Sequence, residues 1–146
     1  MDEFNLIHSL QYFSHYDATT DIYLEAWGES FHFCRFPRAP EPKAAAMARY
    51  EHYIAHMMGL RPGMRMLDVG CGVGGPAKEI AAFSNCSVVG LNNNGHQVQK
   101  AEELSKKDGM EKMVEFVKWD FMVRLSLVAI DMLKLIPLSG YSIPSK

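Results

Sequence analysis

Four glycines packed into six residues, Gly70, Gly72, Gly74 and Gly75, separate an apolar run from a helix-forming run in this chain. The run before them, Met64 to Val69, reads as a short buried strand. The run after them, Pro76 to Phe83, reads as a helix with its proline in the tolerated first turn. A loop in that position needs left-handed backbone angles and lets main-chain N–H groups approach a ligand with no side chain between. The strand–loop–helix context, rather than the glycines alone, gives the motif its weight.

The surrounding sequence continues the alternation. Lys43 to Met58 is alanine-rich and helix-forming, with Gly59 as a stop and Arg61-Pro62-Gly63 as a turn. Ser87 to Leu91 predicts a second strand, Gly95 to Lys107 a helix with a weak stripe at Val98, Ala101 and Leu104, and Val114 to Lys118 a third strand. This order predicts an α/β fold with a parallel sheet and helices on its faces. Residues 1–42 differ: they are rich in aromatics and histidine and close on Phe36-Pro37-Arg38-Ala39-Pro40-Glu41-Pro42, whose three prolines impose an extended linker. From Val123 the character changes again. Only six residues part the third strand from the apolar run beginning at Leu125, too few for a parallel crossover, so the tail reads as an amphipathic helix or an ill-defined strand.

Composition narrows the class. With 146 residues, 48% hydrophobic and 22% charged, the chain has the size and balance of one soluble globular domain. A net charge of −2 with scattered basic residues gives no case for nucleic acid. The three cysteines, Cys34, Cys71 and Cys86, have neither disulfide-framework nor zinc spacing, which fits a reducing compartment. The acidic N-terminus does not read as a secretory signal, and the longest apolar stretch, Leu125 to Leu138, is broken by Ser126, Asp131, Lys134 and Pro137.

The glycine run admits more than one ligand. It satisfies GxGxxG as Gly70-x-Gly72-x-x-Gly75, a dinucleotide fingerprint, and it also suits a methyl-donor nucleoside. A purely structural glycine turn is the plain alternative. A dinucleotide protein places an acid about 20 residues on, at the end of the second strand, to hold the ribose hydroxyls. Here that position is Asn92, 24 residues beyond Asp68, which can bond a hydroxyl without carrying charge. Asp68, two residues before the first glycine, and Asp120-Phe121, after the third strand, resemble the methyltransferase pattern, in which the first strand commonly ends in an acid and the third is often followed by a carboxylate near the adenine amine and an apolar neighbour against the ring.

At this point the chain resembles the sterol 24-C-methyltransferases. The matching stretches are Trp27-Gly28-Glu29-Ser30-Phe31-His32-Phe33-Cys34-Arg35-Phe36, Glu51 to Gly59, Leu67 to Pro76, Val88-Val89-Gly90-Leu91-Asn92-Asn93-Asn94, and Phe116-Val117-Lys118-x-Asp120-Phe121-Met122. The resemblance implies the N-terminal part of a Rossmann-like class I methyltransferase fold. Its expected cofactor is S-adenosyl-L-methionine, held by Asp68, Gly70, Gly72, Gly74, Asn92, Asp120 and Phe121. The implied reaction alkylates a sterol side-chain double bond through a carbocation that then loses a proton. Aromatic faces stabilise such a cation in a dry pocket, so Tyr23, Trp27, Glu29 and His32 are the expected catalytic residues. The resemblance also implies a sterol partner, at most peripheral membrane contact at the cytoplasmic face of the endoplasmic reticulum, and leaves homo-oligomerisation open.

Two departures stand out. Trp119 occupies a position where the family has glycine. The resemblance also ends at Met122, dividing the chain into an aromatic substrate-side segment and linker (1–42), a partial cofactor domain (43–122) and an apolar tail (123–146). The expectation is a truncated product with the edge of the first strand exposed. That leaves an enzyme of low activity beside a non-catalytic remnant that binds cofactor weakly or pairs with a full-length homologue.

Overall fold

Parallel strands joined by helices need long crossovers, and glycine or proline marks most of the corners. The computed structural model describes residues 19–34, 41–119 and 136–137. Residues 19–27 are helical (α1), followed by α2 (Lys43–Met57), β1 (Arg65–Val69), α3 (Gly75–Ser84), β2 (Ser87–Asn92), α4 (Gly95–Lys107), β3 (Val114–Lys118) and β4 (Ile136–Pro137). The sheet order is β3-β2-β1-β4. β1 and β2 pair in parallel from Arg65↔Ser87 to Val69↔Leu91, and β2 and β3 from Val88↔Val114 to Asn92↔Lys118. The α/β fold with three parallel strands is therefore as the sequence predicts, and the expected elements lie within a residue or two of their observed bounds.

Local chemistry sets the corners. α2 begins after Pro42 and ends at a left-handed Gly59. α3 starts behind Gly74, with a proline in its first turn, and stops at left-handed Asn85. Asn94 caps α4 by accepting a hydrogen bond from the Gln97 N–H at 2.9 Å, and Lys106 and Lys107 occupy its last turn, where positive charge suits the helix dipole. One core joins the pieces: Met66, Val88, Val114 and Phe116 from the strands meet Ala77, Ile80 and Ala81 of α3 and Val98 and Ala101 of α4.

Two features differ from the sequence reading. Helix α1 falls in a segment for which the sequence predicted no element. The far edge of β1, expected to be exposed, is paired over two residues by antiparallel β4, with Leu67↔Ile136 and Met66↔Pro137. Proline cannot donate to a ladder and is tolerated in a sheet only on such an edge, so Pro137 suits the outermost position. The rest of the tail lies outside the described residues.

Met66, the second residue of β1, is fully buried. Met66→Ala is expected to destabilise the chain by about 2–5 kcal/mol in urea unfolding; a loss under about 1 kcal/mol would show that this strand does not organise the core.

Candidate functional site at the carboxyl ends of the strands

The turn from β1 into α3 carries Gly70, Gly72 and Gly74, all at positive φ (81°, 58° and 82°). At Gly70 and Gly72 a Cβ would meet nothing within 4 Å, so open space lies beside the loop. Gly74 and Gly75 are different. A Cβ on Gly74 would lie 2.3 Å from the Phe116 ring, and one on Gly75 would lie 2.3 Å from the Glu29 carbonyl oxygen. The first lets the loop settle on the β3 core. The second lets the segment after α1 pass against the start of α3.

Asp68 sits at the base of this loop, 7% exposed. Burial raises its carboxyl to about 6, while the positive charge of nearby His32 opposes the rise. At the end of β2, Asn92 is buried and its amide Nδ2 donates to Gln97 Oε1 at 2.7 Å and to the Gly72 carbonyl at 3.4 Å. Gln97 in turn donates from Nε2 to Thr20 Oγ1 of α1 at 3.2 Å. Trp119, directly after β3, is held beside this site by its N–H bond to the Asn92 carbonyl at 2.8 Å. Asp68, the glycines and Asn92 thus converge at one end of the sheet. Asp120 and Phe121, expected to join them, lie outside the described residues.

The residues expected on the substrate side are placed less uniformly. His32 Nε2 and Ser30 Oγ both bond Glu51 Oε1 at 2.7 Å, and Glu51 on α2 is buried. The Glu51 hydrogen bond raises the His32 pKa against the opposing effect of burial. Glu29 pairs with Lys78 of α3, which also pairs with Asp108 beyond α4. Trp27 presents its ring to the Lys43 ammonium, 4.7 Å from the centroid, and its carbonyl accepts from the same ammonium at 2.7 Å. Tyr23 packs on Phe31 at 5.9 Å between centroids, and both are exposed, as is Trp27. Trp27 and Glu29, with Lys43, Glu51, Lys78 and Met110, line a cavity of about 670 Å³ between α2, α3 and the 26–30 segment. Asp68, Gly72 and Asn92 do not line it, so the cavity and the strand-end site are separate places that share the Gly75 turn.

Sequence reasoning missed Glu51, Lys78 and Gln97. Glu51 carried a signal: it falls on the buried face of α2 with Met47 and Ala55, four residues to either side, where an acid needs a partner. Lys78 stands likewise among the buried residues of α3.

A glycine turn between β1 and α3, with an acid at its base and a buried asparagine at the end of the neighbouring parallel strand β2, is the arrangement of the class I fold of S-adenosylmethionine-dependent methyltransferases. The chain belongs to the mycolic acid cyclopropane synthetase family, whose pattern it matches over residues 7–134. Among curated relatives it is 53% identical over 108 residues to a sterol 24-C-methyltransferase of Gibberella zeae, covering 74% of this chain and 28% of that one. It is 52% identical over 109 residues to that of Saccharomyces cerevisiae, covering 75% and 28%. Among solved structures, the [4+2]-cyclase SpnF superposes with a TM-score of 0.68 at 28% identity, covering 77% of this chain and 42% of that one. The chain therefore spans under a third of the length of these curated relatives.

Two predictions follow from this geometry. Asp68 binds its proton more tightly folded (about 6) than unfolded (near the ordinary 3.8), so its contribution to stability is full below pH 4 and is lost as pH rises through 6. Asp68→Asn is expected to remove that slope and to exceed the parent by about 3 kcal/mol above pH 7 in urea titrations; parallel pH profiles would refute it. Gly75→Ala drives a Cβ into the Glu29 backbone. Limited proteolysis of the 28–34 segment should accelerate, whereas unchanged cleavage would show that the segment is not held there.

Proposed function

We propose that this chain carries the cofactor-binding part of a sterol 24-C-methyltransferase and binds S-adenosyl-L-methionine at the carboxyl ends of β1 and β2. The observation that carries the proposal is the convergence of the left-handed glycine turn, buried Asp68 and Asn92 at one end of the sheet, in a chain about half identical to proteins of that name. The open space beside Gly70 and Gly72 fits a nucleoside approaching the main chain, and Asn92 fits its ribose. Bound S-adenosylmethionine supplies an electrophilic methyl group. Gly70 and Gly74 shape the turn, their N–H groups bonded to the Leu91 and Cys71 carbonyls, the main chain at Gly72 borders open space, Asp68 supports the turn, and Asp120 and Phe121 complete the adenine side. Tyr23 and Trp27 supply aromatic faces toward the sterol, and Glu29 and His32 hold the segment that carries them. The site works at the cytoplasmic face of the endoplasmic reticulum with peripheral contact only; among the described residues no helix is long and apolar enough to cross a membrane.

A second reading is a non-catalytic binder that takes the cofactor weakly or pairs with a longer homologue. Calorimetric titration tests both. S-adenosylmethionine is expected to bind and NAD to give no heat, and Gly72→Val should abolish binding, since φ 58° strains a β-branched residue. Binding of NAD in preference would overturn the proposal. Radiolabelled methyl transfer to a Δ24 sterol then separates the readings. Little turnover is expected from these residues alone, and cofactor binding without any turnover selects the second reading.

A further inference from the structure

Helices that join parallel strands run back along the sheet, so the last turns of α2, α3 and α4 meet the starts of β1, β2 and β3 at the end opposite the glycine turn. Main-chain bonds stitch the turns there side by side. Gly63 N–H donates to the Asn85 carbonyl at 3.1 Å, Ser87 N–H to the Met64 carbonyl at 2.9 Å and Val88 N–H to the Met113 carbonyl at 2.8 Å. The charge of this end is one-sided. Arg61, Arg65, Lys106, Lys107 and Lys112 are exposed, and their side chains form no hydrogen bond or ion pair among the described residues. Elsewhere the cations are engaged: Lys43 by Trp27, Arg49 by Glu41, Lys78 by Glu29 and Asp108, and Lys100 by Asp21 and Glu103, with Lys118 the exception. Of the acids in the same turns, Asp108 is directed inward onto Lys78, which leaves Glu111. The negative end of the α4 dipole accounts for Lys106 and Lys107, but Arg61, Arg65 and Lys112 lie outside the helices.

Apolar side chains stand among these cations. Met57 is 65% exposed, Phe83 53% and Met64 36%, and the Phe83 ring is held face-on against His52, 3.9 Å between centroids. A soluble polyanion would use the cations alone, whereas a layer of anionic headgroups over acyl chains uses both kinds of side chain. We propose that this end of the sheet is the face by which the chain rests on an anionic lipid surface. The arginines and lysines meet the headgroups, and Met57, Met64 and Phe83 enter the acyl boundary. The whole chain carries a net charge of −2, so the attraction is local to this end. Docking in this sense leaves the glycine turn facing water, from which a charged nucleoside arrives.

This inference deepens the peripheral membrane contact proposed above and rests on it. The test sediments the full chain with vesicles of phosphatidylcholine alone and of phosphatidylcholine mixed with phosphatidylserine. The parent is expected to bind the mixed vesicles in preference and to leave them as salt is raised. Arg61→Gln and Arg65→Gln should each weaken that binding about five-fold, whereas Lys118→Gln, at the other end of β3, should not change it. Phe83→Ser should weaken it about ten-fold at constant charge, and Met57→Ser repeats that test from a side chain outside the core. Unchanged urea midpoints show that the variants are folded. A parent that binds both vesicles equally, or arginine variants that bind as the parent does, overturns this surface. Weakening by the arginine variants with none by Phe83→Ser or Met57→Ser shows a face for a soluble polyanion and overturns the lipid assignment. A parent that binds neither kind of vesicle overturns the peripheral contact itself.

Discussion

The buried carboxylate of Glu51 ties the aromatic N-terminal segment to the rest of the structure. It enters the interior on α2 because that helix presents Ala46, Met47, Glu51 and Ala55 to its neighbours, and an unpaired acid there would be costly. Ser30 and His32 satisfy it from a segment some twenty residues earlier in the chain. Their bonds draw residues 28–32 against the start of α3, where Gly75 leaves room for the Glu29 carbonyl. The glycine turn, the segment and α2 therefore form one unit: the turn can pass beneath the segment only because one residue lacks a side chain and another supplies the charge that holds it. Lys78 repeats the device one turn into α3, joining Glu29 to Asp108.

What could be read from the sequence follows from what each contact is made of. The strands and helices between Lys43 and Lys118 are bounded by glycine, proline and asparagine and filled by apolar runs, so both their type and their ends were evident. Asp68 and Asn92 lie on adjacent parallel strands, and Gly70, Gly72 and Gly74 in the turn after the first of them, so their nearness at one end of the sheet could be read from spacing. Helix α1 was not. Its described residues Ile22, Tyr23 and Trp27 are exposed, and it docks through Thr20 on Gln97 and Asp21 near Lys100. Polar tertiary contacts of that kind leave no hydrophobic period to detect. The same holds for Ile136-Pro137, where proline argues against a strand everywhere except on the edge it occupies.

Asp68 and His32 set the electrostatics beneath the glycine turn. Asp68 is raised to about 6 by burial and His32 is raised by Glu51. Protons are therefore held more tightly in the folded chain at both positions, and both contributions weaken as pH rises. Burial opposes charge on Asp68 while His32 favours it, so the state of the acid beneath the glycine turn depends on a histidine delivered by the N-terminal segment. Undocking that segment would alter the turn electrostatically even if its backbone stayed in place.

The four residues assigned to the substrate side do not stand on equal terms. Trp27 is engaged by the Lys43 ammonium through its ring face, and an exposed cation–π contact is worth only about 0.5–1 kcal/mol. A substrate that buries the indole can displace Lys43 at small cost. Tyr23, exposed beside Phe31, is similarly free to reorient. Glu29 and His32 are more constrained: His32 partners the buried Glu51, whose charge would lose its only ionic partner among the described residues, and Glu29 shares the buried Lys78 ammonium with Asp108. The aromatic residues are thus the adaptable surface and the ionisable ones the struts beneath it. Glu51 favours the protonated imidazole, so the bond that docks the segment is strongest while His32 carries its second proton.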